Sequence, residues 1–416
     1  MLRRILPGSP ASATAAHVTT STLGERTPAP IDARRLPGFT RDSSLVIFIF
    51  NNNFSLHVKT RVLVVGYGTI GKRVADAVRA QWDMELVGVC TPRPNHNVLA
   101  LLRRVSDKIP LVAYDRESEE AFKRAGISTS GLLSELLSSG EVDVVVDASP
   151  AGSGAENKRK FYSLASVKVV FQGGEEPEVA ELTFSPFFNY SAARGKRYVR
   201  VPSCNTTGIL RVLNALLRVS SVEEVFVTIV RRAHDLADRK GARLNTLALD
   251  GGVPSHHARD VKLVLPVSIT TVAVVAPTTL SHFHVARVRF SGSVSREEIL
   301  DSLSSSPRVV VAGEPFQTSA NVAEFYRELR PRGDMYEVAV LESSISVEGG
   351  CATLAYIVHQ ESIVVPENID AVRALASAAA AWESIRETDR SLGVTSGRLS
   401  LSAAREAPRL ELRALA

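Results

Sequence analysis

The stretch RVLVVGYGTIGKRVADAVRA, residues 61–80, constrains the fold more than any other part of the chain. RVLVV is a continuous apolar run of the kind that makes a strand buried on both faces, and KRVADAVRA continues with helical spacing. Between them GYGTIG supplies G-x-G-x-x-G in the strand–turn–helix order that a dinucleotide-binding turn requires. Gly66 permits the tight turn, Gly68 lets the backbone approach a pyrophosphate, and Gly71 lets the helix pack closely on the strand. The amides around Thr69 and Ile70 then face an anion at the helix start. Glycines also serve ordinary turns, so the signal lies in the flanking pattern rather than in the glycines alone.

The following segments extend this into an α/β series. MELVGVC reads as the second strand, SELLSS as a helix, VDVVVDAS and VKVVFQGG as further strands. Parallel strands alternating with helices predict a Rossmann-type doubly wound sheet, and we assign residues 58–203 to it. An acidic residue at the end of the second strand would favour NAD through the ribose 2′-hydroxyl. The chain instead carries Thr91 and Arg93 there, followed by Asn95 and His96. A hydroxyl and a guanidinium suit a 2′-phosphate, so NADP or NAD is the expected cofactor, with Arg93 otherwise a solvated loop residue. Asp147 to Pro150 and Gly174 fall at strand ends, where such sheets bind ligands, and Gly174 is the expected backbone contact near the nicotinamide half.

Composition sets the class. With 416 residues, 45% of them hydrophobic and 22% charged, the chain can bury a full core and is long enough for two domains. The cysteines, Cys90, Cys204 and Cys351, are odd in number and far apart, without a C-x-x-C pair, so neither a disulfide framework nor a metal site is indicated. This pattern predicts a cytoplasmic protein. The net charge of +5 concentrates in residues 1–57, where six arginines face three acids. No basic stripe with interleaved aromatics tracks along the rest, which argues against nucleic acid. The apolar run at 45–50 is far shorter than the roughly 20 residues of a membrane helix. Residues 1–57, rich in Ser, Thr, Ala and Pro, read as a disordered extension or a mis-assigned start, with Val58 near the true beginning; a transit sequence is the other reading.

Cys204 sits in VPSCNTTGIL, between a strand and an apolar helical pattern. Free cysteine is commonly a small hydrophobe. A thiol at a helix N-terminus, however, meets unpaired amides and the macrodipole, which favour its thiolate. Following a dinucleotide domain, that placement makes Cys204 the candidate nucleophile, whereas Cys90 and Cys351 lie in strand patterns. A histidine is needed to move protons beside it. His282 and His284 alternate in SHFHVARV, so both face one side of a strand; His256 and His257 form a second cluster. Core histidines bonded to carbonyls would show the same pattern.

VGYGTIGKRVADAV, GAENK, KVVFQGGEEPEVAEL, GKRYVRVPSCNTTGILR, PSHHARDVK, APTTLSHFH and VHQESIVVPENIDAVRAL together closely resemble the archaeal-type phosphorylating glyceraldehyde-3-phosphate dehydrogenases, from about Lys59 to Leu392. The resemblance implies that Cys204 attacks the aldehyde of glyceraldehyde 3-phosphate, that a hydride passes to NAD(P)+, and that inorganic phosphate cleaves the thioester to give 1,3-bisphosphoglycerate. It implies substrate contacts at Ser203, Cys204, Asn205, His256 and His257, with phosphate contact also within reach of Thr206 and Thr207. Cofactor contacts are implied at Arg232 and Gln360, with Arg231 as another contact or as its neighbour's support. The acid–base group falls to His282 or His284. A homotetramer is implied as well.

A second domain, 204–365, is expected as α+β with a mainly antiparallel sheet, strand-rich from about Val222 to Val358. A helix at 366–394 returns to the Rossmann domain, and 395–416 is a tail. The segment at 231–252 departs from the family pattern at His234 and Leu236. Two rival functions follow from the same features: a semialdehyde or acyl-phosphate reductase, and a catalytically silent nucleotide-sensing protein.

Overall fold

A computed structural model of the chain describes residues 59–104, 108–172, 174–232 and 245–403. The extension at 1–57, the departures at His234 and Leu236, and the end of the chain from 404 lie outside the described residues. The first seven strands are β1 (Thr60–Val65), β2 (Met84–Thr91), β3 (Leu111–Ala113), β4 (Val144–Asp147), β5 (Lys168–Gln172), β6 (Leu182–Thr183) and β7 (Tyr198–Val201). They form one sheet in the order β3-β2-β1-β4-β5-β7-β6, every pair parallel. The apolar runs of β1, β4 and β5 are buried throughout or nearly so, as expected of strands covered by helices on both faces.

The order reverses between β1 and β4, and ligands of such sheets bind in the crevice at that switch point. The glycine turn sits there. Gly66 adopts φ +89°, and a Cβ on it would lie 2.6 Å from the Ala148 backbone after β4. A Cβ on Gly71 would lie 1.9 Å from the Gly66 carbonyl oxygen. The helix Gly71–Arg79 is therefore seated against the turn, and only glycine fits either place.

The second sheet contains β8 (Val222–Arg232), β9 (Ala248–Leu249), β10 (Ile269–Ala276), β11 (His282–Phe290), β12 (Val309–Ala312), β13 (Val338–Leu341), β14 (Ser346–Glu348), β15 (Cys351–Val358) and β16 (Gly397–Leu399). Its order is β16-β12-β13-β15-β11-β8-β10-β9, with β14 beside β15. Pairing is antiparallel from β13 through β15 and β11 to β8, at β14 and at β9; β10 on β8 and both neighbours of β12 are parallel. Both sheets belong to one unit, Leu56–Ala416. Among the described residues no helix is long and apolar enough to cross a membrane.

The helix Cys204–Leu216 leaves β7 after two residues and packs between the sheets, against β13, β15 and the helices His256–Lys262 and Arg296–Ser304. A Cβ on Gly208 would come within 2.6 Å of Val358, so this glycine lets the helix lie directly on β15. Arg211 on the same helix is buried and bonded to Glu367 and to the carbonyls of Tyr336 and Ile363. The start of the helix is thus held at the seam of the two sheets.

Two expectations need correction. In place of one helix at 366–394 there are two, Val365–Ala376 and Ala381–Leu392. Ala378 and Ala379 direct their carbonyls to Arg194, and the Ala380 N–H is capped by Glu383, so the alanine run is held extended despite its helix propensity. The first of the two helices does pack on Gly71–Arg79 and on β4, β5 and β7. Residues 397–399, expected within a tail, instead form β16 at the edge of the second sheet.

Candidate active site

Ser203 is the N-cap of the helix that opens with Cys204. Its hydroxyl accepts from the Thr206 N–H at 3.3 Å and lies 3.1 Å from the Thr206 hydroxyl. Cys204 is thereby the first helical residue, where backbone amides lack intrahelical partners. His282 opens β11, and antiparallel pairing with β15 and β8 brings it to the same place. The Cys204 Sγ stands 3.3 Å from His282 Nε2. The other ring nitrogen, Nδ1, accepts the Arg232 N–H at 3.0 Å.

His284 and His257 are brought to a different residue. Both are fully buried and both contact Asn205: His284 Nε2 lies 2.9 Å from its Oδ1, and His257 Nε2 lies 3.2 Å from its Nδ2. His257 Nδ1 continues to the Ser255 hydroxyl at 3.0 Å, which meets the Thr271 hydroxyl at 2.7 Å, and that hydroxyl donates to the Ser255 carbonyl. One proton assignment satisfies the whole chain. Asn205 donates to His257, His257 to Ser255, Ser255 to Thr271, and His284 donates to Asn205. It leaves a lone pair on His284 Nδ1, the one ring nitrogen of these residues without a partner. The opposite amide orientation would leave a buried N–H there instead, which costs more than an idle acceptor.

These placements revise the expected roles. His282, not His284, is the histidine at the sulfur. His257 bonds Asn205 and is buried, whereas His256, its stacked neighbour with ring centroids 3.9 Å apart, is exposed. Thr206 and Thr207 are buried, Thr206 against Ser203 and Thr207 with its hydroxyl unpartnered, so neither is open to phosphate in this conformation.

The electrostatics oppose one expectation. Cys204 retains partial exposure, yet burial of its sulfur pushes the thiol up to about 11. The Arg231 charge, the Asn205 N–H and the Arg232 charge pull the other way, in that order, without restoring a low value. A helix start alone does not make this thiol acidic. Burial likewise lowers His257 to about 2 and His284 to about 3, and drives His282 well below its ordinary range, so all three rings are neutral. Arg231, which sequence reasoning left between two roles, pairs with Asp250 through a half-exposed guanidinium and bears on Cys204, His257 and His282.

The cofactor candidates divide between the two sheets. Nothing lies within 4 Å of a Cβ built on Gly68, which leaves the turn open to a pyrophosphate, and Thr69 and Ile70 lead directly into the helix. Thr91 is buried at the end of β2 while Arg93 is exposed beyond it. Lys72, directly after the glycine motif, reaches Asn97 at 3.2 Å; the motif G-K offered that signal and it was missed. Arg232 is buried, donating to Gln360 at 2.6 Å, to the Thr279 carbonyl at 2.8 Å and to Glu361. Glu361, adjacent to Gln360, was likewise missed. Gly174 lies beside Ala151, next to the β4 crevice. The donor set fits a dinucleotide: an open glycine turn at the switch point, and cationic and amide side chains beyond two strand ends.

Comparison with known proteins agrees with this arrangement. Residues 203–328 match the family described as "Glyceraldehyde 3-phosphate dehydrogenase, C-terminal domain". The protein named glyceraldehyde-3-phosphate dehydrogenase from Pyrobaculum arsenaticum is 46% identical over 338 residues, covering 80% of this chain and 96% of the relative. Proteins of the same name from Metallosphaera sedula and Archaeoglobus fulgidus are 47% and 46% identical, over 82% and 81% of this chain and 99% and 98% of their own length. With the glycine turn at the switch point and Cys204 against His282, that similarity places the chain in the glyceraldehyde-3-phosphate dehydrogenase family.

Proposed function

We propose that the chain oxidises D-glyceraldehyde 3-phosphate with inorganic phosphate and NADP+ or NAD+ to 1,3-bisphosphoglycerate, through a thioester on Cys204. The observation that carries this reading is the Cys204 sulfur at the first turn of a helix, 3.3 Å from His282 Nε2, in a chain of this family. When bound, the nicotinamide supplies a hydride acceptor. Cys204 binds the aldehyde carbon; His282 and the amide of Asn205 stand where charge develops on its oxygen. Arg231 and exposed His256 are the groups available to the substrate phosphate, with Asn205 fixed behind them. Gly66, Gly68 and Gly71 receive the pyrophosphate, and Thr91, Arg93 and Lys72 face the adenosine side. Arg232 and Gln360, held together, serve the opposite half beside Cys204.

The assembly we propose is a homotetramer in the cytoplasm. The outward face of the second sheet supports contact with another copy: Phe226, Thr228 and Val230 on β8 lie beside Thr270, Val272 and Val274 on β10 and beside Val285 on β11. Phe226 is 43% exposed and Val285 38%. A contiguous apolar sheet face of this kind marks an association site. The free thiols of Cys90, Cys204 and Cys351 fit a reducing compartment.

The deciding experiment is phosphate-dependent reduction of NADP+ and NAD+ with glyceraldehyde 3-phosphate, run beside a carboxylate-bearing semialdehyde. Turnover confined to the phosphorylated aldehyde and abolished by Cys204→Ser is the expected result. Preference for the semialdehyde, or cofactor binding without turnover on either, overturns it.

A further inference from the structure

One side chain sets the direction of the peptide between Thr69 and Ile70. At the start of the helix Gly71–Arg79 the Lys72 N–H bonds to the Gly68 carbonyl at 3.1 Å, while those of Arg73 and Val74 both go to the Ile70 carbonyl, at 2.9 and 3.0 Å. The Thr69 carbonyl between them is taken by the Arg73 guanidinium, whose Nη1 donates to it at 2.7 Å. In a trans peptide the C=O and the N–H point opposite ways. With the Thr69 oxygen drawn back along the helix, the Ile70 N–H faces out of the helix start, where an anion is received. Ile70, the N-cap position, makes no side-chain cap bond of its own.

Arg73 is placed in turn by a distant residue. Its Nε donates to Asp334 Oδ1 at 2.6 Å, and both side chains are buried, so the bond is charge-assisted and closed to water. Asp334 lies between the turn Pro331–Gly333 and β13 of the second sheet. The segment around it is fixed on both flanks. Arg330 makes two bonds to buried Glu337, at 2.7 and 2.6 Å, and the Met335 carbonyl accepts the Ser362 hydroxyl at 2.7 Å. Arg332 adds a bond to Asp76, on the same helix as Arg73, at 2.6 Å. Ser362 directly follows Glu361, the partner of Arg232. One short segment is therefore joined both to the glycine turn and to the half of the site beside Cys204.

We propose that Asp334 and Arg73 are positioning residues for the dinucleotide: Asp334, carried by the second sheet, fixes the Arg73 guanidinium, which holds the Thr69 carbonyl and keeps the Ile70 N–H aimed at the pyrophosphate. The proposal rests on the cofactor binding given above and deepens it. Both residues act through the Thr69–Ile70 peptide, so their loss falls on cofactor affinity rather than on the chemistry at Cys204.

The test measures Kd for NADP+ and NAD+ by calorimetry in the full-length chain, together with KM and kcat. Asp334→Ala removes the acceptor, and its Kd is expected to rise about tenfold, the worth of one charge-assisted hydrogen bond, while kcat at saturating cofactor stays within about twofold. Asp334→Asn keeps an acceptor oxygen and should recover part of the loss. Arg73→Gln lacks the fork that spans two partners and should match Asp334→Ala. The double variant should be no weaker than the worse single one, since both act through one bond. A Kd in Asp334→Ala within about twofold of the parent, or additive losses in the double variant, overturns the proposal; a bridge that only stabilises the fold would lower Tm and leave Kd alone. In a crystal structure of the unsubstituted chain with NADP+, the Ile70 N–H should lie within about 3.2 Å of a pyrophosphate oxygen. An Ile70 N–H turned away from the pyrophosphate overturns the proposal whether or not the variants fold. Failure of the unsubstituted chain to bind either cofactor overturns it together with the cofactor part of the function, whereas cofactor binding without turnover on glyceraldehyde 3-phosphate counts against the function alone.

Discussion

Gly68 and Gly71, three residues apart, should respond to the same substitution in opposite ways. In Gly71→Ala the new methyl would stand 1.9 Å from the Gly66 carbonyl oxygen, about 1.5 Å inside ordinary contact. The atom it meets is backbone, so no rotamer change relieves the clash; either the helix Gly71–Arg79 or the turn must move. Gly66 cannot yield easily, because it is itself packed at φ +89° against Ala148. A cost of about 3 kcal/mol, the upper end for overpacking, is expected. For a chain of 416 residues that is a fall of about 3 °C in Tm. Gly68→Ala meets nothing within 4 Å and has no positive φ to strain. Its stability should hold or rise by up to about 1 kcal/mol through the unfolded chain. The methyl would nonetheless occupy the approach to the pyrophosphate, so the Kd for NADP+ should rise at least about tenfold, or ~1.4 kcal/mol. Thermal unfolding without cofactor, and cofactor titration by calorimetry, separate the two. A Gly71→Ala Tm within about 1 °C of the parent would refute the packing argument. Unchanged NADP+ affinity in Gly68→Ala would move the pyrophosphate elsewhere.

The thiol environment predicts that Cys204 alkylation by iodoacetamide rises about tenfold per pH unit from neutrality toward about 11, since the thiolate is ~10⁻⁴ of the total at pH 7 when burial holds the thiol that high; a plateau below pH 8 would contradict this. Asn205→Ala strands the His257 acceptor and the His284 donor together, so it should cost about 2–4 kcal/mol in denaturant unfolding as well as activity; a stable, fully active variant would remove the two histidines from the site. Arg93→Ala should raise the KM for NADP+ more than for NAD+, because only NADP+ carries the 2′-phosphate; equal changes would return Arg93 to solvent. Phe226→Asp should shift the assembly toward smaller species in light scattering; an unchanged mass would place the interface away from this face.

The parts of the site legible in the sequence are those fixed by a local pattern. G-x-G-x-x-G between an apolar run and a helical one carries its own turn, and the polar turn between a strand and an apolar helical pattern put Cys204 at a helix start, so both were placed without knowledge of the rest. The alternation in SHFH put His282 and His284 on one face correctly. Which of the two meets the sulfur depends on how far β11 slides along β8 and β15, and the alternation is silent on that register. The burial of His257 was hidden for a similar reason. Two adjacent histidines carry no period that separates them, whereas the helix His256–Lys262 turns one ring to solvent and the other to Asn205. The break at 377–380 was hidden because alanine favours a helix, and Arg194, which takes the carbonyls of Ala378 and Ala379, comes from a distant part of the chain, while Glu383 caps the next helix locally.

The charge arrangement explains why so many neutral histidines gather around a thiol. Arg231 and Arg232 are permanent cations next to the sulfur, and Glu361, the carboxylate that bears on it, is already bonded to Arg232. An imidazolium at His257, His282 or His284 would add a further positive charge near the two arginines, and desolvation disfavours it strongly. Cations and neutral rings around the sulfur would suit a site that receives negative charge. In the resting chain no such charge is present, and the thiol stays protonated. A thiolate on Cys204 would meet the helix-start amides, His282 Nε2 at 3.3 Å and the field of Arg231, positioned beforehand by β8, β11 and the Ser203 cap. Donors fixed in this way need little reorganisation when charge appears, which is the condition under which electrostatic stabilisation of a transition state is largest.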